Sequence, residues 1–466
     1  MSNSVRRTNT ERTAIGTDGS LNHSRLTIAV YGLGPTGLAL SVLCAQAFPT
    51  VTGADTDTTR VTAIQHGRPP VSDPLLSEYL TEVTETGSLR TTTELPTAAS
   101  EATIHLIAVP TGLRADDAPD LSQLRSTIRD MAAELSAGDL VVVTTPVPPG
   151  TTEGVVASTV VDESGLSRDE FGLAVCALPR DRSLQSIRTG TLVIAGSDSR
   201  SQTATGALFS AITTGTVSTT PLLRTAECVE AVERSAAEML RCLSNELALS
   251  APELGVPTVA ELISMRDELE LPEPGVDGTE PIGAGFLRDV LFKQTPVLDS
   301  VYGSAKQFPQ LIAETVLAAI DDDSAADSPQ SETTEFEFDA VSADVDHDDS
   351  SDEQTVLVLG VPTTDGSTAD SMPVSALIRE LTHAETRPLI CDPVADLPRS
   401  LTPHAVSVQS ATRLDPDAVV VLSFRLAFEK IDWAAFDDAV VLDCCGFSLD
   451  VDTEVHRLGA TDGFHS

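Results

Sequence analysis

The feature that most constrains the fold is a glycine-rich turn between an apolar run and a helical pattern, in the stretch TIAVYGLGPTGLAL at residues 27–40. Its glycines have the spacing G-x-G-x-x-G, which lets the backbone turn tightly, approach a pyrophosphate and pack the helix on a sheet. The helix that follows offers free N–H groups and the positive end of its dipole to phosphate oxygens. We therefore predict that a dinucleotide contacts Gly32, Gly34, Pro35, Thr36 and Gly37.

An acidic residue ends the next predicted strand, VTGAD at residues 51–55, and Asp55 lies 21 residues after Gly34. A carboxylate at this point accepts hydrogen bonds from the ribose hydroxyls of adenosine, which favours NAD over NADP. Arg60 weakens that preference slightly, because an arginine can meet a 2′-phosphate. The alternative is a dinucleotide fold that has lost its ligand.

Short apolar runs alternate with helical patterns on both sides of the glycine turn. The runs are LTIAVYG, VTGAD, ATIHLIAVP, DLVVVTTP, LAVCALP and TLVIAG. Strands of this kind, buried on both faces and separated by helices of about 10 to 15 residues, predict a parallel βαβ sheet. From residue 222 to residue 254 the pattern changes to one long helix, and further helical segments follow to about residue 319.

An acidic segment separates this part of the chain from a second α/β pattern. Fourteen Asp or Glu residues fall within positions 321–353, interleaved with Ser and Thr. Such a composition cannot bury enough surface to fold, so we predict an extended linker. The runs TVLVLGVP, RPLICDP, AVVVLSF and AVVLDCCG then restart a parallel-sheet pattern. The predicted parts are a disordered tail at 1–24, an α/β domain at 25–204, a helical region at 205–319, an acidic linker at 320–353 and a second α/β domain at 354–466.

The composition limits which classes of ligand we expect and where in the cell we expect the protein. The chain has 466 residues and a net charge of −41, spread along its whole length, with only three lysines. This composition resembles that of halophilic proteins, whose acidic surfaces stay solvated in concentrated salt; a specific basic ligand is the alternative. Without a basic patch, nucleic-acid binding is not expected. Since no signal peptide and no membrane-spanning run is seen, we expect a cytoplasmic protein that does not associate with membranes.

Seven cysteines are scattered along the chain without C-x-x-C spacing. They predict neither a metal site nor a disulfide framework. Most lie in apolar runs, which is typical of small core residues.

Several further motifs occur in a defined order. The stretch ADTDTTRVTAIQHGRPPVSDPLL follows the glycine turn, and AVPTG, APDLS, TTPVPPGTT, LSNELAL, VLVLGVP and LICDP come after it. Together they resemble the landmarks of the UDP-glucose/GDP-mannose dehydrogenase family, such as V-P-T-P, P-D-L-S, S-T-V-P-P-G-T-T and Y-D-P. The resemblance covers nearly the whole chain from Arg25.

This resemblance implies a three-part architecture: an NAD-binding domain, a central dimerisation region that forms a homodimer or a heterodimer with a paralogue, and a nucleotide-sugar-binding domain. It adds Val109, Pro110 and Thr111 of the V-P-T motif to the predicted NAD contacts. The family oxidises C6 of a UDP-sugar twice with two NAD. A cysteine holds the sugar as a thiohemiacetal and then as a thioester, because an aldehyde must be trapped to give up a second hydride.

The catalytic positions of the family can be placed on this sequence. Its cysteine loop, G-x-G-F-G-G-x-C-(F/L)-x-K-D, falls on GAGFLRDVLFKQ at residues 283–294, so that Val290 stands at the cysteine. Its helix motif E-x-x-K-x-x-x-N puts Glu230 at the lysine and Arg234 at the asparagine. Valine cannot form a thioester, and both helix changes alter the charge at positions where an oxyanion would need positive or neutral donors.

Other positions also depart from the family. Arg180 stands where a glutamate belongs, although a shift of one residue would use Asp181, and Pro146 replaces a threonine near the nicotinamide. In the third domain, Asp370 lies near the position of a sugar-binding arginine. Possible replacements for the lost groups are Arg288, Asp289 and Lys293, with a surface ion pair as the alternative.

We therefore expect a divergent nucleotide-sugar dehydrogenase-like protein without intact four-electron oxidation. The alternative is a non-catalytic NAD-binding or regulatory partner of an active paralogue in surface glycan synthesis.

Overall fold

The structure is a computed structural model. It describes residues 15–23, 25–69, 73–114, 116–254, 271–272, 275, 281–291, 294–326, 354–362, 372–393, 397, 400–431, 433–436, 439–445 and 455–457. The chain divides into two compact units. Unit 1 comprises Met1–Met239, Glu280–Ala305 and Thr364–Ser367, and unit 2 comprises Leu240–Thr279, Lys306–Thr363 and Thr368–Ser466.

Unit 1 is built on an eight-stranded sheet. Its strands are β1 (Ile28–Tyr31), β2 (Val51–Ala54), β3 (Leu89–Thr92), β4 (Ile104–Ile107), β7 (Leu140–Val143), β8 (Gly172–Ala177), β9 (Thr191–Gly196) and β10 (Thr216–Thr219). Two short strands, β5 (Gly112–Leu113) and β6 (Pro119–Asp120), form a separate antiparallel pair. The order in the sheet is β10-β9-β8-β7-β4-β1-β2-β3.

Helices cover both faces of this sheet and bury an apolar cluster on each side. They are α1 (Pro35–Ala47), α2 (Thr58–Gln65), α3 (Pro74–Glu85), α4 (Leu95–Glu101), α5 (Ser122–Ala132), α6 (Ala157–Ser164), α7 (Leu184–Thr189) and α8 (Ser199–Ile212). A π-helical turn at Thr152–Val156 leads into α6. The predicted parallel α/β fold is confirmed. Within the eight-stranded sheet, one pair of neighbouring strands, β8 and β9, is antiparallel. There, β9 starts at the end of the sheet where β8 stops, so the link through α7 does not cross the sheet.

Two predicted boundaries of this domain need correction. The limit at residue 204 falls inside α8, and the sheet continues to Thr219 because β10 pairs with β9. The predicted disordered tail is also too long, because Ile15 is buried and bridges to Leu21. Arg200 holds this segment by donating hydrogen bonds to the carbonyl groups of Ile15 and Gly16. Residues 1–14 and residue 24 lie outside the described residues.

In the described part of the chain after the first sheet, three helices precede the second sheet. They are α9 (Leu223–Leu254), α10 (Ile282–Val290) and α11 (Pro296–Ala326). The long helix predicted at 222–254 is confirmed by α9. Helix α11 extends into the predicted linker, because Ala319 and Ile320 are buried and continue its apolar pattern. The rest of the predicted linker, residues 327–353, lies outside the described residues.

Unit 2 contains the second predicted α/β pattern, now seen as a five-stranded parallel sheet. Its strands are β11 (Thr355–Leu359), β12 (Arg387–Cys391), β13 (Ala418–Val421), β14 (Val440–Asp443) and β15 (Val455–Arg457). The order is β12-β11-β13-β14-β15. Helices α12 (Met372–His383) and α13 (Val408–Ala411) accompany it, with 3-10 turns at Thr402–His404, Leu426–Lys430 and Trp433–Phe436.

Candidate functional site

The predicted cofactor residues meet at the carboxyl edge of the first sheet. Tyr31 is in register with Ala54 on β2 and with Ile107 on β4, so the turns after these three strands lie side by side. Gly32 begins the first turn with φ +89°, a left-handed conformation that favours glycine. A Cβ atom at Gly32 would lie 2.7 Å from the carbonyl oxygen of Ala108.

The glycine turn leaves a bare backbone cradle at the start of α1. A Cβ atom at Gly37 would lie 1.8 Å from the carbonyl oxygen of Gly32, so only glycine fits. Helix α1 is capped by Gly34 without a side-chain hydrogen bond, and Pro35 occupies its first turn. Its first N–H groups therefore face the edge of the sheet without a competing side-chain cap, which is the arrangement that accepts a phosphate anion.

Asp55 lies directly after β2 and is 8% exposed. Its Oδ2 atom accepts hydrogen bonds from the Leu33 N–H at 2.7 Å and from the Arg60 guanidinium at 2.9 Å. Its Oδ1 atom accepts one from the Asp57 N–H at 2.9 Å. Arg60, predicted to weaken the NAD preference, thus lies against the carboxylate that is predicted to bind ribose.

The loops after β4 and β7 are tied to each other. The Thr145 hydroxyl donates to the Val109 carbonyl at 2.5 Å, and the Thr111 hydroxyl donates to the Pro146 carbonyl at 2.5 Å. Pro110, between them, is exposed. The predicted V-P-T contacts therefore form a fixed rim beside the glycine turn.

One face of α9 carries four charged residues toward this part of unit 1, at the helical spacings of three and four residues: Glu227, Glu230, Arg234 and Glu238. The Glu227 carboxylate accepts hydrogen bonds from the N–H groups of Gly150 and Thr152, the latter at 2.8 Å. Burial raises the pKa of Glu227, while these hydrogen bonds act in the opposite direction.

Glu230 and Arg234, the family's lysine and asparagine positions, belong to a buried ion cluster. The Arg182 guanidinium donates a hydrogen bond to Glu230, and Arg234 lies 3.8 Å from the same carboxylate oxygen. Arg182 also donates to the Thr144 carbonyl at 3.0 Å, at the end of β7. The cluster thus links α9 to the carboxyl edge of the sheet.

The stretch on which the family's cysteine loop falls is helical as far as Val290, so it is not a loop there. The Glu238 carboxylate accepts the N–H groups of Gly283 and Ala284, both at 2.9 Å, and so caps the start of α10. A Cβ atom at Gly283 would lie 2.6 Å from the Ser235 nitrogen, so this glycine permits close packing on α9. Val290 is the last residue of α10 and is half-buried.

Of the polar candidates near Val290, the structure describes Arg288 and Asp289. Arg288 lies 2.6 Å from Asp299 and stacks over the Tyr302 ring at 4.4 Å, with both charged side chains a third to a half exposed. This is the surface ion pair given as the alternative. Asp289 is exposed, as are Arg180 and Asp181, while Lys293 and Asp370 lie outside the described residues.

Sequence reasoning missed three residues of this region: Arg182, Glu227 and Glu238. Glu227 and Glu238 share the helical face of Glu230, and that spacing is a signal present in the sequence. Arg182 has no comparable signal, because its burial depends on the packing of α9 against the end of β7.

Among the residues that the structure describes, no group of three or more His, Cys, Asp or Glu side chains is placed to hold a metal ion. Within the same residues, no helix is long and apolar enough to cross a membrane.

A glycine turn after β1, a carboxylate after β2 and an open helix N-terminus at the strand ends define a dinucleotide-binding α/β protein. Residues 26–212 match the sequence model of the NAD-binding domain of the UDP-glucose/GDP-mannose dehydrogenase family. These residues therefore form a domain of the NAD-binding type of that family, and NAD is the cofactor of this domain. The bare backbone around Gly32 and Gly37 fits the pyrophosphate of NAD. When NAD is bound, it supplies a hydride acceptor.

Proteins named as nucleotide-sugar dehydrogenases are similar in sequence to this chain. A UDP-N-acetyl-D-mannosamine dehydrogenase of Pyrococcus horikoshii is 29% identical over 255 residues, which is 53% of this chain and 60% of the relative. An NDP-N-acetyl-D-galactosaminuronic acid dehydrogenase of Ralstonia solanacearum is 30% identical over 266 residues, 54% of this chain and 62% of the relative. The matched part thus spans about 60% of the length of these relatives.

Similarity of fold extends over nearly the whole chain. The solved structure of a UDP-D-ManNAc dehydrogenase from Pyrococcus horikoshii has a TM-score of 0.73 and 21% identity. The comparison covers 94% of this chain and 100% of that one. The second sheet and the helices before it therefore follow the architecture of this structure as well.

Proposed function

We propose that this chain is a divergent nucleotide-sugar dehydrogenase-like protein that binds NAD and does not carry out the four-electron oxidation of a UDP-sugar. The observation that carries this proposal is the buried cluster of Arg182, Glu230 and Arg234. Two of its members, Glu230 and Arg234, occupy the positions of α9 where the family resemblance expects a lysine and an asparagine. The nucleotide-sugar class of the ligand is supported by the names of the relatives.

The cofactor half of the proposal assigns a role to each predicted residue. The backbone of Gly32, Gly34 and Gly37 and the start of α1 at Pro35 and Thr36 hold the pyrophosphate. Asp55 binds the adenosine ribose after Arg60 has moved aside. Val109, Pro110 and Thr111 form the rim beside the nicotinamide.

The chemical half follows from what the second oxidation needs. A thioester requires a thiolate, and the family position of that thiolate is Val290. An oxyanion also needs positive or neutral donors, whereas Glu230 is an acid already bonded to Arg182. A single two-electron step with NAD remains chemically open, because hydride transfer alone needs no covalent intermediate.

The test separates cofactor binding from turnover. Calorimetric titration with NADH is expected to give binding, and a panel of UDP- and GDP-sugars with NAD is expected to give no four-electron product. The Val290→Cys variant serves as the control, because it restores the sulfur and leaves the ion cluster. We expect this variant to remain inactive; conversion of a UDP-sugar to the acid by the wild type would refute the proposal.

A second candidate function is a regulatory subunit that forms a homodimer, or a heterodimer with an active paralogue in surface glycan synthesis. It is favoured by exposed apolar side chains along α9 and just before it. These are Leu222, Val229, Val232 and Met239, between 38% and 59% exposed. Apolar side chains clustered on the surface are typical of an interaction site.

Val232→Glu tests this candidate, because it places a charge within those side chains. The mass in solution is expected to fall to that of a monomer, and an associated paralogue would no longer co-purify. Val297→Glu is the matched control, since Val297 on α11 is 60% exposed. A wild-type monomer without a paralogue would exclude this candidate.

The acidic composition supports adaptation to concentrated salt as a further part of the proposal. With a net charge of −41, self-repulsion destabilises the compact state at low ionic strength. Thermal unfolding in a series of KCl concentrations is the measurement, and the melting temperature is expected to rise up to molar salt. A melting temperature that does not change between 0.1 M and ~2 M KCl would contradict this, because screening is nearly complete only above ~1 M.

A further inference from the structure

The loop after β7 (residues 144–151, the β7 loop) has few backbone donors of its own. Pro146, Pro148 and Pro149 lack a backbone N–H, so three of its positions donate no hydrogen bond. Gly150 has φ +100°, the left-handed conformation that favours glycine. Contacts from other elements therefore have a large part in fixing this loop.

The start of the β7 loop is tied to the loop after β4. The Thr145 hydroxyl donates to the Val109 carbonyl and the Thr111 hydroxyl donates to the Pro146 carbonyl, both at 2.5 Å. These bonds join the β7 loop to the rim that is proposed to lie beside the nicotinamide.

The other end of the β7 loop is held by α9. Oε2 of Glu227 accepts a hydrogen bond from the Gly150 N–H, and Oε1 accepts one from the Thr152 N–H at 2.8 Å. Thr151 gives the helical turn that starts here no side-chain cap, so the cap comes from Glu227, 75 residues further along the chain. A carboxylate at the start of a helix is stabilised by the helix dipole.

A second residue of α9 packs over the same glycine. A Cβ atom at Gly150 would lie 2.7 Å from a guanidinium nitrogen of Arg224, which stands one turn before Glu227 on α9. Glu227 itself is only 2% exposed. The end of the β7 loop is thus enclosed by the first turns of α9.

The order of the strands puts the β7 loop on the nicotinamide side of the glycine turn. Asp55 follows β2 on one side of β1, whereas β4 and β7 lie on the other side. A dinucleotide whose adenosine is bound at Asp55 crosses the turn after β1. Its other half then extends toward the loops after β4 and β7.

We propose that Glu227 is a positioning residue for the nicotinamide half of NAD, because its carboxylate fixes the β7 loop in the conformation that receives this half. The inference rests on the proposed role of residues 109–111 as the rim beside the nicotinamide. Glu227 acts through the N–H groups of Gly150 and Thr152 rather than by contact with the cofactor. Both carboxylate oxygens are needed, since each accepts a different N–H.

Protonation of Glu227 is expected to release the loop. Burial raises the pKa of Glu227, so the folded protein binds this proton at a higher pH than an exposed glutamate does. The proton turns one carboxylate oxygen into a hydroxyl, which then faces an N–H donor with a donor of its own. The positioning effect is therefore present while Glu227 is charged and is lost as the pH falls through its raised pKa.

The ionisable groups beside Glu227 come from three elements. They are Glu153 of the π-helical turn, Arg224, Cys228 and Glu230 of α9, and Arg182 of the turn after β8. The charge of Glu153 adds to the effect of burial on the pKa of Glu227. Glu230 is bonded to Arg182, and burial raises the pKa of Cys228, which is thus a neutral thiol in acid. Among these groups, Glu227 is the carboxylate that bonds to the β7 loop.

The first experiment compares NADH with ADP-ribose on the unmodified protein. ADP-ribose has the adenosine, the pyrophosphate and the second ribose but no nicotinamide, so it reports on the rest of the site. Calorimetric titrations run from pH 8 to about pH 5.5, which is above the usual range of a glutamate. NADH is expected to weaken at least about fivefold relative to ADP-ribose as the pH falls. A constant ratio of the two affinities would overturn the proposal.

The second experiment uses Glu227→Gln, which keeps the shape of the side chain and removes its charge. At pH 8, NADH is expected to bind at least about tenfold more weakly and ADP-ribose to stay within about twofold. The ratio of the two affinities is then expected to be independent of pH. Equal weakening of both ligands would indicate a general loss of structure and would contradict a positioning role.

Glu233→Gln is the matched control, because Glu233 is exposed on the same helix. It is expected to keep the wild-type ratio of affinities and its pH dependence. If Glu227→Gln and Glu233→Gln have the same ratio, the role assigned to Glu227 is wrong.

Failure of the cofactor site gives a different result from failure of this inference. If neither NADH nor ADP-ribose binds the wild type, the proposed NAD site is wrong and the role of Glu227 falls with it. If both bind and their ratio responds neither to pH nor to Glu227→Gln, the NAD site stands and only the role of Glu227 is wrong. The pH series uses the unmodified protein, so the test does not depend on the folding of a variant.

Discussion

The Arg182 guanidinium donates a hydrogen bond to the Glu230 carboxylate, and each of these side chains is only 5% exposed. Arg182 adopts φ +50°, a left-handed conformation uncommon for a residue other than glycine. The pair therefore joins a sharp turn after β8 to the N-terminal third of α9. Removing one partner of a buried pair leaves the other charge without compensation.

We expect Glu230→Gln to lower the free energy of unfolding by about 3 to 5 kcal/mol, because it leaves two buried guanidinium groups without their carboxylate. Denaturant unfolding at constant salt is the measurement. Arg288→Gln is the control: its partner Asp299 is half-exposed, so the loss is expected to stay within about 1 kcal/mol. Equal losses in the two variants would show that the buried cluster contributes no more to the free energy of unfolding than the exposed ion pair does.

Gly37→Ala is expected to weaken NADH binding at least about 100-fold, or about 2.7 kcal/mol. The new Cβ atom would lie 1.8 Å from the Gly32 carbonyl oxygen, so the turn that faces the pyrophosphate must shift. Fluorescence titration with NADH checks this. Gly154→Ala is the matched variant, because no heavy atom lies within 4 Å of its Cβ position. NADH affinity that survives Gly37→Ala would place the pyrophosphate elsewhere.

Arg60→Ala is expected to leave NADH affinity unchanged or to raise it, and to weaken NADPH about tenfold, or about 1.4 kcal/mol. Arg60 shares Oδ2 of Asp55 with the Leu33 N–H, so it competes with the ribose of NADH. It is also the group that would meet a 2′-phosphate. Paired titrations with NADH and NADPH test the idea, and a marked loss of NADH affinity alone would contradict it.

The buried cysteines are expected to resist alkylation of the native protein at pH 8. Burial raises the pKa of Cys44 to about 12 and that of Cys391 to about 11, so the reactive thiolate is scarce well above neutral pH. Reaction should become appreciable only as the pH approaches these values or when the chain unfolds. Mass spectrometry after iodoacetamide treatment measures it. Half-buried Cys228 is the internal comparison and is expected to react first.

Much of the arrangement around the glycine turn was predictable, because its parts lie close together along the chain. Gly32, Gly37 and Asp55 belong to one strand, turn, helix and strand, and the rules for such a unit fix where each residue stands. The helix at 223–254 was predictable for a similar reason, since its apolar and charged residues repeat with helical spacing. Its length in the structure differs from the prediction by one residue.

Other features required the folded chain. A disordered tail was predicted through residue 24, yet Ile15 is buried, because Arg200 binds the carbonyl groups beside it from 184 residues further along. The glycines at 283 and 285 match the start of the family's cysteine loop, yet they lie in a helix whose start is capped by Glu238. Arg200 and Glu238 lie far in sequence from the segments that they contact, so no local pattern predicts either contact.

By itself, the sequence determined the two α/β patterns, the glycine turn and the carboxylate after β2, because periodicity and short-range backbone geometry are local properties. Only the tertiary structure decided that Glu230 is bonded to Arg182 and that Glu238 caps the start of α10. Both depend on which strand ends and helix faces meet in space. Those meetings are set by the packing of apolar surfaces between elements, which no single segment encodes.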